Sequence, residues 1–346
     1  MHALQLTAWK SPPEFREVPT PEPGPGEVLV RVAAAGACHS DLHLIHDFDP
    51  GLLPYDLPFT LGHENAGWVE ALGPGVDGLE VGTPVAVYGP WGCGRCWRCQ
   101  QGNENYCERA AEIGAAGGGL GRDGGMAPYM LVPSARLLVP LGEGLDPVQA
   151  APLTDAGLTP YHAIKRSLHL LGAGSTAVVI GTGGLGHLAV QILRAISGAQ
   201  IIAVDLREEA RRLALDVGAD HALPSDPTAG DAIRDLTGGL GVDVALDFVG
   251  VDATIALAAS TCRPMGHATV VGIGGGSFPF SFFSLPYEVS LATTYWGSRP
   301  ELIELLELAR RGSVRAHVEE HPLDEAPEVY EKLHAGEISG RAVIVP

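Results

Sequence analysis

The chain has 346 residues, 46% of them hydrophobic and only 18% charged, enough apolar material for two ordinary domain cores. Its formal net charge of -19 argues against a nucleic-acid partner, because phosphate backbones would be repelled. The 46 glycines and 27 prolines are spread without period, which predicts many tight turns and excludes a fibrous or disordered chain.

The amino terminus, MHALQLTAWKSPPEFREV, carries charges early and lacks an apolar core followed by a small-residue cleavage site. It does not read as a secretory signal, and the expected location is the cytoplasm. Residues 1–150 are then cut by Pro and Gly into short runs rich in β-branched residues, EVLVRVAAAG, AGWVEALG, TPVAVYG and PYMLVPSARLLVP. That is the texture of a strand-rich domain. Within it, Cys38 in AAAGACHSDLH and His63 in TLGHENAG are a thiolate and an imidazole suited to a zinc ion with one coordination position left for chemistry. Four of the six cysteines, Cys93, Cys96, Cys99 and Cys107, crowd the stretch WGCGRCWRCQQGNENYC. Four thiolates close a tetrahedral zinc completely, so this cluster predicts a structural ion. Disulfides are one alternative, against which stand the awkward spacing and the lack of an export signal. A zinc module that binds nucleic acid is another, against which stands the acidic charge.

From about Ser175 the runs become short and almost wholly apolar, TAVVI, IIAVD, VDVALDFVG and HATVVGIG, alternating with helical patterns. Strands apolar on both faces predict a parallel sheet covered by helices. Thr176 to Leu193 is uncharged and long enough to span a bilayer, but its glycines, His187 and Gln191 fit a buried strand, a tight turn and a helix better. The turn Gly181-Thr182-Gly183-Gly184-Leu185-Gly186 follows the first of these runs and opens the helical stretch His187 to Arg194. About 20 residues on, Asp205 ends the next strand. Glycines at 181, 183 and 186 let backbone approach a pyrophosphate, and the acid accepts hydrogen bonds from a ribose, so this is a dinucleotide site. A carboxylate about 4 Å from a 2′-phosphate repels it by ~4 kcal/mol at an effective dielectric of ~20, while an exposed Arg207 returns only ~1 kcal/mol. NAD is therefore expected over NADP.

Further along, Ala210, Leu213, Ala214 and Val217 predict a surface helix that stops at Gly218. After about Leu291, Leu302, Leu305, Leu306 and Ala309 predict another that stops at Gly312, and RAVIVP closes the chain as a strand returning to the first domain. Cys262 reads as a small core hydrophobe. His162, His169 and His221 lack metal spacing and read as solvent-facing or capping.

Gly62-His63-Glu64, with Gly67, Gly73 and Val76, matches the zinc signature GHE-x2-G-x5-G-x2-V. With the four-cysteine loop and the nucleotide turn behind it, the whole chain resembles the zinc-dependent alcohol dehydrogenases of the medium-chain dehydrogenase/reductase family. TDAGLTPYHA around residue 155 and YWGSR around residue 296 are most similar to the bacterial secondary-alcohol enzymes. The resemblance implies an α/β protein with a strand-rich GroES-like catalytic domain, residues 1–154 and 293–346, and a Rossmann NAD-binding domain, residues 155–292. It implies two zinc ions per chain, one catalytic and one structural, and hydride exchange between NAD and an alcohol/carbonyl pair, such as secondary alcohols with their ketones, or aldehydes.

The resemblance also distributes roles. Asp155 stands where the commoner pattern has a cysteine, as the third ligand beside Cys38 and His63; its residue type alone also suits a cap on a helix beginning at Ala156. Glu64 becomes an orienting group or transient fourth ligand, and Ser40 and His43 a proton relay. His39 and Arg341 fall near the cofactor phosphates, and Thr159 braces the nicotinamide. Tyr55, Leu120, Tyr295 and Trp296 form an apolar pocket wall suited to uncharged, medium-sized substrates. A polyol or glutathione-adduct dehydrogenase is the alternative enzyme, and a non-catalytic zinc- and NAD-binding redox sensor the alternative from another class. A homodimer or homotetramer is expected, with Glu288 to Thr294 offering a strand edge; neither a membrane nor a nucleic acid is expected as a partner.

Overall fold

Val28–Gly36 is buried at all but one of its positions, as an apolar run rich in Val and Ala should be when it has neighbours on both sides. In the computed structural model, which describes residues 1–346, this strand is the centre of a seven-stranded sheet. It pairs antiparallel with Glu64–Leu72, with Tyr129–Val132 and with the closing strand Arg341–Val345. Pro84–Val87 and Leu138–Pro140 extend the sheet on one side, and Val318–Pro322 lies parallel to the closing strand on the other. A smaller sheet of Glu14–Glu17, His2–Leu6 and Phe59–Thr60 and a two-stranded one of Gly117–Gly118 and Gly121–Arg122 complete the β structure of this part.

Leu4, Leu6, Leu44, Phe59, Tyr330 and Ile344 meet in one buried cluster. Each such side chain contributes on the order of 1.5–3 kcal/mol by leaving water. Tyr330 reaches this cluster from the helix Ala326–His334, whose buried face also carries Ala326, Val329 and Leu333.

Thr176–Ile180, fully buried, is the central strand of a six-stranded parallel sheet. The order runs His221–Pro224, Gln200–Asp205, Thr176–Ile180, Val242–Asp247, Cys262–Val270 and Ser290–Thr293. The order reverses beside the first strand, which is the doubly wound arrangement that binds ligands at the carboxyl ends of its strands. Helices Gly186–Ile196, Glu208–Asp216, Ala229–Leu236 and Asp252–Thr261 fall between the strands. The expected helices are present: Glu208–Asp216 buries Ala210 and Ala214, and Arg299–Arg310 buries Leu302, Leu305 and Leu306. Thr176 to Leu193 resolves into a strand, a turn and a helix, and no helix is long and apolar enough to cross a membrane.

The chain forms two compact units, Met1–Asp155 with Gly297–Arg310 and Ala316–Pro346, and Ala156–Trp296 with Arg311–Arg315. Against expected boundaries at 154/155 and 292/293, Asp155 lies with the first unit and 293–296 with the second. The reason for the latter is local: Ser290–Thr293 is a full member of the parallel sheet, paired with Cys262–Val270, and the chain leaves the unit only past Trp296.

Candidate active site and metal centres

Sheet register builds the first site. Gly36 lies opposite Glu64 in the ladder between the two central strands of the first unit. Cys38, two residues past one strand, and His63, just before the other, therefore come to the same end. A side chain at position 36 would place its Cβ 2.0 Å from Glu64 Oε2, so a glycine there leaves room for the carboxylate. Asp155 follows the short turn Ala151–Thr154, which packs against both strands. Donor atoms of Cys38, His63, Glu64 and Asp155 all lie within 4.8 Å of one another.

The individual separations suit a cation. His63 Nε2 stands 3.4 Å from Asp155 Oδ2, and Cys38 Sγ stands 3.9 Å from the same oxygen. Ligands on a tetrahedral zinc would be about 3.4 Å apart for an N–O pair and about 3.6 Å for an S–O pair, given bonds of about 2.1 and 2.3 Å. Electrostatics agree: burial lowers the His63 imidazole, but the charges of Asp41 and Cys38 and the bonds to Asp155 and Asp41 raise it well above its ordinary value. This donor set calls for positive charge at its centre.

Asp155 follows one short turn and precedes the next helix. The helix Leu158–Ser167 begins later, with Gly157 as its cap residue and no side-chain cap bond. Its carboxylate is turned toward Cys38 and His63. Glu64 is fully buried and grips Arg341, whose Nε lies 2.9 Å from Glu64 Oε2 while Nη2 engages Oε1. Burial raises the Glu64 carboxyl to about 7, with the guanidinium pulling the other way. Arg341, expected at a cofactor phosphate, thus has its guanidinium committed to Glu64. Ser40 Oγ is 3.6 Å from Cys38 Sγ. His43 lies one turn on, its Nδ1 2.6 Å from Asp47 Oδ2 and its ring stacked on Phe48. His39 is exposed. Tyr55, stacked on Trp9, has its phenol raised by burial and lowered in part by nearby His63, and Leu120 packs on the same core.

Asp41 was not singled out in the sequence. Fully buried, it accepts from the Cys38 backbone N–H at 3.1 Å and faces His63 Nδ1 at 3.1 Å. Its place three residues past Cys38, inside the first turn of His39–Leu42, is the one local signal that would have found it.

The four-cysteine loop forms the second metal group, its sulfurs also within 4.8 Å of one another. Cys93 and Cys99 sulfurs stand 4.0 Å apart, as do those of Cys96 and Cys107. The edge of a tetrahedral zinc–thiolate cage is about 3.8 Å, whereas a disulfide is about 2.05 Å. All six cysteines are free. Backbone N–H groups point at the sulfurs, Cys96 N to Cys93 Sγ at 3.3 Å and Cys93 N to Cys107 Sγ at 3.3 Å, which favours thiolates. Arg136 ties the loop down, bonding Glu104 and, at 2.6 Å, the Gly92 carbonyl.

In the second unit the glycine turn sits where a dinucleotide fold needs it. Gly181 has φ +82°, a conformation that favours glycine, and a Cβ on Gly186 would fall 2.0 Å from the Gly181 carbonyl. Gly183, Gly184 and Leu185 lead directly into the helix Gly186–Ile196, whose amino end attracts phosphate. Asp205 ends its strand with one oxygen 2.7 Å from Thr182 N and the other 2.9 Å from Arg207 N. Arg207 lies over the turn, its guanidinium 3.2 Å from where a Cβ on Gly183 would stand. Thr159 is buried on Leu158–Ser167, and so is His162, which excludes the solvent-facing one of its two expected roles. Trp296 is buried and packs edge-on against half-exposed Tyr295.

Residues 24–143 match the family model of the alcohol dehydrogenase GroES-like domain, and residues 184–311 that of the zinc-binding dehydrogenase. An NAD-dependent alcohol dehydrogenase of Sulfurisphaera tokodaii is 36% identical over 100% of both chains. A D-arabinose 1-dehydrogenase (NADP(+)) of Saccharolobus solfataricus is 33% identical over 99% of this chain and 97% of its own. The crystal structure of the alcohol dehydrogenase of Aeropyrum pernix superposes with a TM-score of 0.92 at 39% identity, covering 100% of both chains. Two metal-binding donor sets, a doubly wound nucleotide unit and relatives matched from end to end leave one assignment: the chain belongs to the zinc-dependent alcohol dehydrogenases of the medium-chain dehydrogenase/reductase family.

Proposed function

We propose that the protein exchanges a hydride between NAD and an alcohol/carbonyl pair, with secondary alcohols and their ketones, and aldehydes, as the substrate class. The observation that carries this reading is the convergence of Cys38, His63, Glu64 and Asp155 donors within 4.8 Å of one another in one pocket. A zinc ion held there by Cys38, His63 and Asp155 supplies Lewis acidity that makes an alcohol more acidic and a carbonyl more electrophilic. Cys93, Cys96, Cys99 and Cys107 hold the second, structural ion.

The chain's own residues do the remaining work. Ser40 Oγ, beside Cys38, accepts the substrate proton as it gives its own hydroxyl proton to the cofactor ribose hydroxyls. His43 receives a proton from these at Nε2, because Nδ1 is bonded to Asp47, and releases it toward solvent. Gly181, Gly183, Gly184, Leu185 and Gly186 cradle the pyrophosphate, while Asp205 accepts the ribose hydroxyls and disfavours a 2′-phosphate. Glu64, held by Arg341, orients the metal ligands. Tyr55 and Leu120 offer an apolar surface on the metal-binding unit that suits uncharged substrates, and Thr159 braces the nicotinamide.

The active form is read as a homodimer or homotetramer working in the cytoplasm. Ser290–Thr293 is an edge strand, and the exposed rings of Phe280, Phe282, Phe283 and Tyr287 lie just before it in the chain. An unpaired edge beside exposed aromatics favours pairing with a second copy.

Zinc quantification joined to initial rates on primary and secondary alcohols, sugars and polyols, with NAD and NADP, tests the reading. Two zincs per chain and fastest turnover of secondary alcohols with NAD are expected. Sugar or polyol oxidation as the best activity would move the substrate class toward that of the arabinose enzyme, and no turnover with two bound zincs would favour a redox sensor.

A further inference from the structure

Three donors converge on the buried carboxylate of Asp41. Its Oδ2 accepts the Cys38 backbone N–H at 3.1 Å and the Tyr330 hydroxyl at 3.0 Å, and its Oδ1 faces His63 Nδ1 at 3.1 Å. Asp41 is 0% exposed, His63 1% and Tyr330 3%, so water does not substitute for a missing partner. A charged acceptor in such a place costs several kcal/mol unless its lone pairs are met.

The geometry has a direction. With Nδ1 held against a carboxylate, the His63 proton belongs on that nitrogen, which leaves the Nε2 lone pair facing Asp155 and Cys38. The same carboxylate pins the Cys38 backbone. What pins the carboxylate is Tyr330, 289 positions further along the chain. The helix Ala326–His334 carries it in on its buried face, locked by Ala326, Val329 and Leu333. Phenol donors to carboxylates are charge-assisted and about twice as strong as neutral bonds.

We infer that Tyr330 is a positioning residue for the Cys38–His63 ligand pair, acting through Asp41 and touching neither metal nor substrate. Its hydroxyl fixes the one carboxylate that sets both the tautomer of His63 and the path of the backbone at Cys38. The inference rests on the zinc reading of this donor set, and the zinc content of the unaltered protein tests that reading separately. Loss of such an outer hydrogen bond weakens metal binding by about 10- to 100-fold.

The test follows zinc release from the holoprotein into excess chelator. Tyr330→Phe keeps the ring in the core and removes only the hydroxyl, whereas Val329→Ala loosens the same helix face and keeps the hydroxyl. One of two zincs should leave Tyr330→Phe about 10- to 100-fold faster, the other at the unaltered rate. Val329→Ala should melt lower with both release rates unchanged. The inference is overturned if Tyr330→Phe releases zinc at the unaltered rate, if it loses both zincs together as unfolding would give, or if Val329→Ala speeds release equally. A single zinc in the unaltered protein would remove the metal reading and this inference together; two zincs with normal release from Tyr330→Phe would remove the inference alone.

Discussion

Arg341 and Glu64, 277 positions apart in the chain, form a two-pronged ion pair with both side chains shut off from solvent. Removing one partner strands a charge in a dry site, which costs about 3–5 kcal/mol, while removing both together is far milder. Glu64→Gln and Arg341→Met should each lower the urea midpoint strongly, and the double variant should recover most of the loss. Additive losses in the double variant would show that the two charges are stabilised independently.

Asp155 is the ligand that distinguishes this chain from the commoner pattern. Asp155→Asn removes an anionic donor 3.4 Å from His63 Nε2. Zinc affinity at that site should fall by more than the roughly 10- to 100-fold that loss of an outer partner costs. Metal analysis should then find about one zinc per chain, and alcohol oxidation should fall with it. A protein that keeps both ions and its rate would take Asp155 out of the coordination set.

Gly92 carries the four-cysteine loop past its own sulfurs. A Cβ there would stand 2.5 Å from Cys99 Sγ and 2.9 Å from Glu104 Cγ. Gly92→Ala should destabilise the loop by about 1–3 kcal/mol through overpacking. Melting in the presence of a chelator should drop more than melting without one, because the strained cage gives up its ion first. Equal drops would place the strain outside the metal loop.

The cofactor preference hangs on Asp205 with Arg207 near it, the Arg207 Nε 3.8 Å from Asp205 Oδ1. Asp205→Gly should shift the NADP/NAD ratio of kcat/KM by about 10- to 100-fold toward NADP, less than ~4 kcal/mol of bare repulsion would give, since the guanidinium already offsets part of the charge. NAD efficiency should fall as well, because the carboxylate also holds Thr182 N. An unchanged ratio would show that the acid does not face the ribose.

What could be read from the sequence was local. The glycine turn, the four-cysteine loop and the alternation of apolar runs each span few residues, so spacing alone carries their geometry. Asp155 is a mixed case: a carboxylate just before a helix suits a cap as well as a ligand, and its 3.4 Å approach to His63 Nε2 joins distant parts of the chain that no local pattern connects. The burial of His162 was not legible either, since a lone histidine gives no sign of which helix face it occupies. Asp41 and Tyr330 were invisible because the bond joining them crosses 289 positions, and no periodicity encodes a contact of that length. The pairing of Arg341 with Glu64 belongs to the same class.

The pairing of Arg341–Val345 with Val28–Gly36 sets an order of events during synthesis. Nearly all of the nucleotide unit lies between Ala156 and Trp296 and can emerge and fold on the ribosome while later codons are still unread. The unit that begins at Met1 waits for Arg341–Val345 to fill its place beside Val28–Gly36. A nascent chain that has reached Trp296 therefore holds nearly all of its dinucleotide unit, while its metal pocket still lacks Tyr330 and Arg341, the partners of Asp41 and Glu64.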